Sequence, residues 1–363
     1  MKKANKKKPK IKKKTATKSS TASVLKERLN KLQKVERKES FESDEHAFEF
    51  GLYSFDSGLK KKYQKLYKGK KLEKHYNGTV VKNRFGTCYS ITDSIEVNIN
   101  YSTPEATKQK LTSELRVIDG VGDFYAQQLS ADGYSSVHDL TKHFRFGRCA
   151  KEFVELLSMN KGLELQKWLE RRFPKSHPSV FLSSTFHSLE DFLFVDIESL
   201  GLHGYPLFLI GVAYFEKQKL IVEQILARDM DEEASALSYL NEKSKKKNVL
   251  GSFNGKSFDI PFIKQRMGYY NVTGSLGHPH FDMLHFSNRA FKGKYEDCKL
   301  ITLENKLFRV TRKDHVPSFL VPDYYNSYLK SKNIGTLIPI IEHNKQDIIS
   351  TVKIFGKLHE LWG

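Results

Sequence analysis

The feature that most limits how this chain can fold is the run Phe192-Leu193-Phe194-Val195-Asp196-Ile197-Glu198, an apolar segment that ends in two carboxylates. Its composition predicts a strand, and a period of two puts Asp196 and Glu198 on one face where the apolar run stops. Leu207–Phe215 and Leu220–Ile225 read as the next two strands. A helix is expected from about Asp231 to Lys247, with Asp231, Glu232 and Glu233 in its first turn and Lys243 to Lys247 at its end. Those charges complement the helix dipole, so their role is read as structural. Val249–Phe253 is a fourth strand, followed by a glycine-containing turn at 254–259 and by mostly helical sequence to Trp362. The order βββαβα predicts an α/β domain over residues 181–363, a mixed sheet with helices packed on it.

Two further carboxylates stand out by context. Asp259 follows the fourth strand after a short turn, and Asp347 lies on a long apolar helix with Ile340, Ile341, Ile348 and Ile349. Glu342, His343 and Asp347 are all expected among buried residues. Acids in such company are costly unless a cation or hydrogen bonds neutralise them. Mg²⁺ or Mn²⁺ does so well, because hard divalent ions prefer carboxylate oxygen and water.

The remainder of the chain divides by composition. Of the net +19, +10 comes from the first twenty residues, which hold ten lysines and no acid. Residues 1–45 are therefore expected to form a disordered basic tail that attracts polyanions through counterion release, or that serves only solubility. Within 21–38, Val24, Leu25, Leu29, Leu32 and Val35 have a helix-compatible spacing. Residues 46–102 interleave Phe48, Phe50, Tyr53, Phe55, Tyr63 and Tyr67 with a lysine series from Lys60 to Lys74. That mixture suits nucleic acid, or a lysine-covered face over a buried aromatic stripe. Short strands are expected at Gly78–Val81, Cys88–Ile91 and Ile95–Ile99. No stretch approaches the ~18 apolar residues of a membrane span, and no signal-like apolar segment opens the sequence. Three distant cysteines, Cys88, Cys149 and Cys298, offer neither a disulfide framework nor a thiolate zinc site. A cytoplasmic protein is expected, with nucleoid association as the variant that the basic tail suggests.

Residues 103–175 read as a small helical domain with one informative turn. Ile118-Asp119-Gly120-Val121-Gly122, followed by Ala126 and Leu129, resembles the helix-hairpin-helix motif. Gly120 and Gly122 would let the backbone turn tightly and approach a phosphate at the start of the next helix, and Ala126 and Leu129 would face the preceding helix. Units of this kind bind the nucleic-acid backbone without reading sequence, although similar hairpins also serve as plain helix connectors. Asp119 and Asp123 flank the turn and would repel phosphate. Gly133–Leu140 reads as a further capped helix.

The acidic segments carry a second resemblance. Asp-Ile-Glu at 196–198, Asn-Gly-Lys-Ser-Phe-Asp at 254–259 and His-Asn-Lys-Gln-Asp at 343–347 resemble the three motifs of the DEDD superfamily of 3′-5′ exonucleases. With His280-Phe-Asp-Met-Leu284 they are similar, more narrowly, to the YprB-type ribonuclease H-like domain, over about Phe192 to Leu361. The resemblance implies a ribonuclease H-like fold and two-metal phosphodiester hydrolysis with Mg²⁺ or Mn²⁺. Asp196 would bridge both ions, Glu198 and Asp347 would hold the ion that activates water, and Asp259 would position the second. His343 would orient or deprotonate the water. It precedes Asp347 by four residues, where the histidine class of the superfamily has five, and this spacing still puts both side chains on one helical face.

Several neighbours carry two readings. Asn254 would contact substrate or cap its turn, and Ser199 would bind a 3′ end or solvate its loop. Asp282 is expected as the N-cap of the Met283 to Ala290 helix, and Phe253 and Phe258 as core. Together these features predict a metal-dependent 3′-5′ exonuclease acting on nucleic acid, with DNA favoured over RNA. The alternatives are an exoribonuclease with the same chemistry and a binding scaffold that no longer cuts. Exo against endo action, strand preference and oligomeric state are not written in the sequence.

Overall fold

In the computed structural model, residues 58–363 are described, apart from His203, Ser275 and Lys313. The lysine block, the helix-compatible segment after it and the aromatic residues up to Phe55 lie outside the described residues. The organising element is a seven-stranded mixed sheet in the order β1-β2-β5-β4-β3-β6-β7. Its strands are β1 (Gly78–Asn83), β2 (Gly86–Ile95), β3 (Phe192–Ser199), β4 (Leu207–Glu216), β5 (Lys219–Leu226), β6 (Val249–Ser252) and β7 (His280–Asp282). From β1 to β3 every neighbouring pair is antiparallel, whereas β3–β6 and β6–β7 are parallel.

The alternation along β3 determines what each face meets. Phe192 and Phe194 enter one aromatic core, while Leu193, Val195 and Ile197 enter the core on the other face. Asp196 and Glu198 continue the Phe192/Phe194 side, where the long helix α13 (Ile338–Trp362) lies across the sheet. The opposite face is covered by α8 (Glu233–Ser244) and α9 (Asp259–Tyr269). Burying side chains from both faces of such a sheet, at roughly 1.5 to 3 kcal/mol per large apolar side chain, is the main force holding α13 in place.

The strands expected before residue 102 extend this same sheet. β2 pairs with β5 from Tyr89↔Leu226 to Ile95↔Leu220. Lys345 on α13 pairs with Asp93 on β2 at 2.8 Å, and the Tyr76 hydroxyl donates to Glu342 at 3.0 Å, so the hairpin also braces α13. Tyr63 and Tyr67 pack partly buried against the core around Tyr324 and Ile334, which is the buried-stripe reading of that segment. The strand expected at Ile95–Ile99 does not form. Its partner β5 begins at Lys219, so no ladder remains beyond Ile95, and Val97 and Ile99 pack on the aromatic core instead. The short β7, unanticipated in a region expected to be mostly helical, completes the parallel edge.

The helical part has its own core. α2 (Pro104–Ser113), α3 (Asp123–Ala131), α4 (Val137–Leu140), α5 (Gly147–Ser158) and α6 (Gly162–Glu170) enclose Leu111, Val117, Ile118, Leu129, Phe153 and Leu165. α1 (Leu72–His75) precedes the sheet, α7 (Pro178–Leu182) leads into it, and α10 (Met283–Phe291), α11 (Leu300–Phe308) and α12 (Val321–Ser331) follow β7. α4 is capped as expected: Ser136 accepts from the Asp139 amide while Asp139 accepts from the Ser136 amide.

Candidate active site at the end of β3

Two strands give the acids their setting. β6 pairs with β3 only from Phe192 to Phe194, and beyond that point the Ile197 amide donates to Asp259 Oδ1 at 3.0 Å. The Asp259 carboxylate is therefore fixed to the backbone between Asp196 and Glu198. The turn that delivers it is anchored by Asp282, which is fully buried. Its carboxylate accepts from the amides of Asn254 (2.7 Å), Lys256 (2.9 Å) and Leu284 (3.1 Å). Asp282 is thus the expected N-cap of α10 and also ties down the Asn254–Asp259 turn. Asn254 has a positive φ of 65°, and its backbone carbonyl accepts from the amides of Ser257 and Phe258 within the turn. Ser199 donates to the Gly201 carbonyl at 2.8 Å, the loop-solvating reading. Phe253 and Phe258 pack against the cores on opposite faces of the sheet.

The other side of the site comes from α13. Asn344, which sequence reasoning passed over inside the quoted His-Asn-Lys-Gln-Asp segment, donates to Asp196 Oδ2 at 2.8 Å. Its own amide oxygen accepts from Gln224 Nε2 at 3.0 Å, and Gln224 also donates to the Ile341 carbonyl at 2.8 Å. Gly211 stands opposite Asp196 in the sheet, and a Cβ there would lie 2.3 Å from Asn344 Oδ1, so the close approach of α13 requires glycine. His343 Nε2 is 3.2 Å from Asp347 Oδ2, as their spacing predicts. Glu342, by contrast, is exposed, because it points along α13 toward Tyr76.

Arg312, on the loop after α11, had no signal in the sequence. It bonds Glu304 through Nε at 2.7 Å, bonds Asp347, and lies 3.1 Å from His343 Nδ1. A guanidinium only donates, so in this arrangement Nδ1 is the acceptor and the ring proton is on Nε2, facing Asp347. Both ring nitrogens are engaged.

The electrostatics separate the acids into two groups. Burial, reinforced by Asp347, Asp259 and Glu198, pushes the Asp196 carboxyl well above its ordinary range despite the Asn344 bond. Burial also pushes Glu198 up to about 8, with Asp347 and Asp259 adding to the shift and His343 and Arg312 opposing it. Asp259 is pushed by burial up to about 7, against hydrogen bonds from its own amide and that of Ile197. For Asp347, burial is outweighed by the hydrogen bond and charge of His343 and by Arg312, and its carboxyl is held below the usual range. Burial pulls His343 down, but the Asp347 bond and charge outweigh it and leave the imidazole raised. Protonating Nδ1 would break its contact with Arg312, so this raised value and the Arg312 bond pull in opposite directions.

The donor chemistry is that of a hard divalent cation: Asp196, Glu198 and Asp259 are half-buried or buried acids, each raised by burial and by the charge of Asp347, with Asp259 acting on both Asp196 and Glu198. Among the described residues, however, no group of three or more His, Cys, Asp or Glu side chains is arranged so that it could hold a metal ion, and the guanidinium of Arg312 is bonded to Asp347. Gly120 and Gly122 lie in the separate helical part, where both are exposed on the turn that precedes α3. Gly120 turns with φ +80°, and Gly122 is the N-cap of α3.

Comparison with known proteins bears on residues 193–359, which match a model of the RNase H superfamily. Over 180 residues the chain is 28% identical to the uncharacterized protein YprB of Bacillus subtilis, a match covering 48% of this chain and 43% of that protein. The chain thus spans less than half the length of that relative. Among solved structures, the family B DNA polymerase of the archaeon Pyrobaculum calidifontis aligns with a TM-score of 0.37 and 16% identity, over 46% of this chain and 24% of the polymerase. The superfamily match coincides with the block from β3 through α13, so residues 193–359 form a ribonuclease H-like domain.

Proposed function

We propose that this chain is a metal-dependent nuclease that hydrolyses phosphodiester bonds, acting as a 3′-5′ exonuclease on DNA. The observation that supports the reading is that acids from β3, α9 and α13 act on one another: Asp196 is raised by Asp347, Asp259 and Glu198, Glu198 by Asp347 and Asp259, and Asp259 by Asp347. A ribonuclease H-like domain supports nuclease chemistry in general. Asp196, Glu198, Asp259 and Asp347 would hold two Mg²⁺ or Mn²⁺ ions. When bound, such ions stabilise charge on the reacting phosphate and lower the pKa of water. The chain's own residues do the positioning. Gln224 and Asn344 orient Asp196, the Ile197 amide orients Asp259, and Arg312 holds Asp347 and His343. For His343 to take a proton from water, it must first release Arg312 or Asp347.

A second reading, a nucleic-acid-binding protein that does not cut, is favoured by one observation: Arg312, which also holds Glu304, already occupies Asp347. End-labelled DNA and RNA incubated with Mn²⁺ or with EDTA separate the two. Mn²⁺-dependent release from the 3′ end of DNA, abolished by EDTA and by Asp347→Ala, is expected. Release from RNA alone would overturn the substrate, and binding without release under every metal condition would favour the second reading.

A further inference from the structure

The helical part carries a row of aromatic rings whose two ends face solvent. Phe124 is 72% exposed and Phe144 is 95% exposed, while Phe146 between them is buried at 4%. The rings touch in series: Phe124 to Tyr125 at 5.5 Å, Tyr125 to Phe146 at 5.8 Å, Phe146 to His143 at 5.0 Å and His143 to Phe144 at 4.7 Å. The last two contacts are stacked, with interplanar angles of 24° and 27°. This loop is held by the His143 ring, because the amides of Arg145 and Phe146 both donate to His143 Nδ1, at 3.1 and 3.2 Å. The Arg145 guanidinium lies over Tyr125 at 4.7 Å and over Phe146 at 5.1 Å, and donates to the Tyr125 hydroxyl at 2.9 Å.

The loop that carries Phe144 is basic, although Arg148 pairs with Glu152 at 3.1 Å. Thr141–Lys151 contains Lys142, Arg145, Arg148 and Lys151 and no acid. Of the acids that flank the neighbouring turn, Asp119 pairs with Arg172 at 2.5 Å, and Asp123 shares Arg116, at 2.8 Å, with Glu114. A braced loop that presents a bare phenyl ring, with planar and point cations beside it, matches the alternation of bases and phosphates in an unpaired strand. In a duplex the base faces are stacked on one another and are not available to these rings.

We propose that this surface binds single-stranded nucleic acid, with bases stacking on Phe124 and Phe144 and with Lys142 and Arg145 meeting phosphates. The proposal rests on the nuclease reading for its purpose, since it supplies the strand to be cut, but its test is a binding measurement that does not require cleavage.

The experiment uses the full chain in EDTA at about 0.2 M salt, which suppresses attraction to the lysine block. Fluorescence anisotropy follows labelled oligo(dT), oligo(U) and a mixed-sequence duplex. The Phe124→Ala/Phe144→Ala double variant is expected to lose about tenfold or more in affinity for one or both single strands, while duplex affinity changes less than twofold. Both rings are exposed, so the thermal midpoint should not move. The indole introduced by Phe144→Trp should retain single-strand binding and be quenched by it. Unchanged single-strand affinity in the double variant, equal losses for single strand and duplex, or an unquenched indole would each overturn the proposal. If hydrolysis is found but binding is indifferent to these rings, only this inference fails. If binding responds and no hydrolysis occurs under any metal condition, the surface stands and the nuclease reading fails.

Discussion

Glu233 and Asp196 are carboxylates in the same sheet-and-helix body, but they are satisfied to different degrees. Glu233 is 1% exposed, and every side of it is occupied. It accepts from the Leu207 amide at 3.0 Å, from Arg266 at 2.7 and 2.6 Å and from the Tyr270 hydroxyl at 2.8 Å. Arg266 in turn donates to the Gly204 carbonyl at 2.9 Å. Asp196 has one side-chain donor, Asn344, and three acids in its field. Buried charge with its counter-charge built in is framework, whereas buried charge left incomplete marks where an external cation could bind.

The sharpest way to break this contrast is to neutralise each site. Asp196→Asn is expected to lower hydrolysis about a thousandfold or more, with oligonucleotide affinity and folding retained, as read by product release and thermal melting. Cleavage that survives this substitution would remove Asp196 from the chemistry. Arg266→Ala should do the reverse, costing about 3 to 5 kcal/mol of folding stability by stranding Glu233, seen as a fall in denaturant midpoint. A neutral outcome there would mean that the Glu233 pair is not framework.

Acidity refines the comparison. Glu198 has its carboxyl raised to about 8 in the folded chain, against an ordinary value near ~4.3. The folded state holds this proton more tightly than the unfolded state, so the associated stability is complete below the ordinary value and is lost as pH rises through about 8. In metal-free protein, Glu198→Gln should therefore match the wild type near pH 4.5 and become progressively more stable than it as pH rises toward 8. Adding Mn²⁺ at pH 8 should raise the wild-type melting temperature more than that of the variant. A stability difference that does not change with pH would show that Glu198 is not strained.

The smallest effect tests how the acid is aimed. Gly211→Ala puts a methyl group against Asn344, with an expected cost of about 1 to 3 kcal/mol in overpacking and about tenfold in hydrolysis through a displaced Asp196. Equal activity would mean that Asn344 does not orient the carboxylate.

What the sequence made legible follows from periodicity. β3 and α13 are long enough for their alternation and helical spacing to place Asp196, Glu198, His343 and Asp347 before any coordinates exist, and the turn chemistry of 254–259 points to Asp259. β7 has only three residues, His280–Asp282, too few for an alternating pattern. Pairing of β2 with β5 joins residues more than 120 positions apart, and no local pattern records such a partner. Arg312 lies outside any helix or strand, where a cation next to a lysine looks like solvated surface. Asn344 was hidden because an amide beside two titratable groups draws less notice, although its burial carries the link from Gln224 to Asp196.

The early departure of β6 from β3 gives position 259 a double duty. Its side chain fills a gap in the ladder as well as contributing a negative charge, so two replacements there ask separate questions. Asp259→Asn leaves an oxygen for the Ile197 amide and discards only the charge. Asp259→Ala discards both and orphans a main-chain donor inside the domain. The difference between the two in melting temperature isolates the architectural share, and what the asparagine form alone loses in turnover isolates the chemical share.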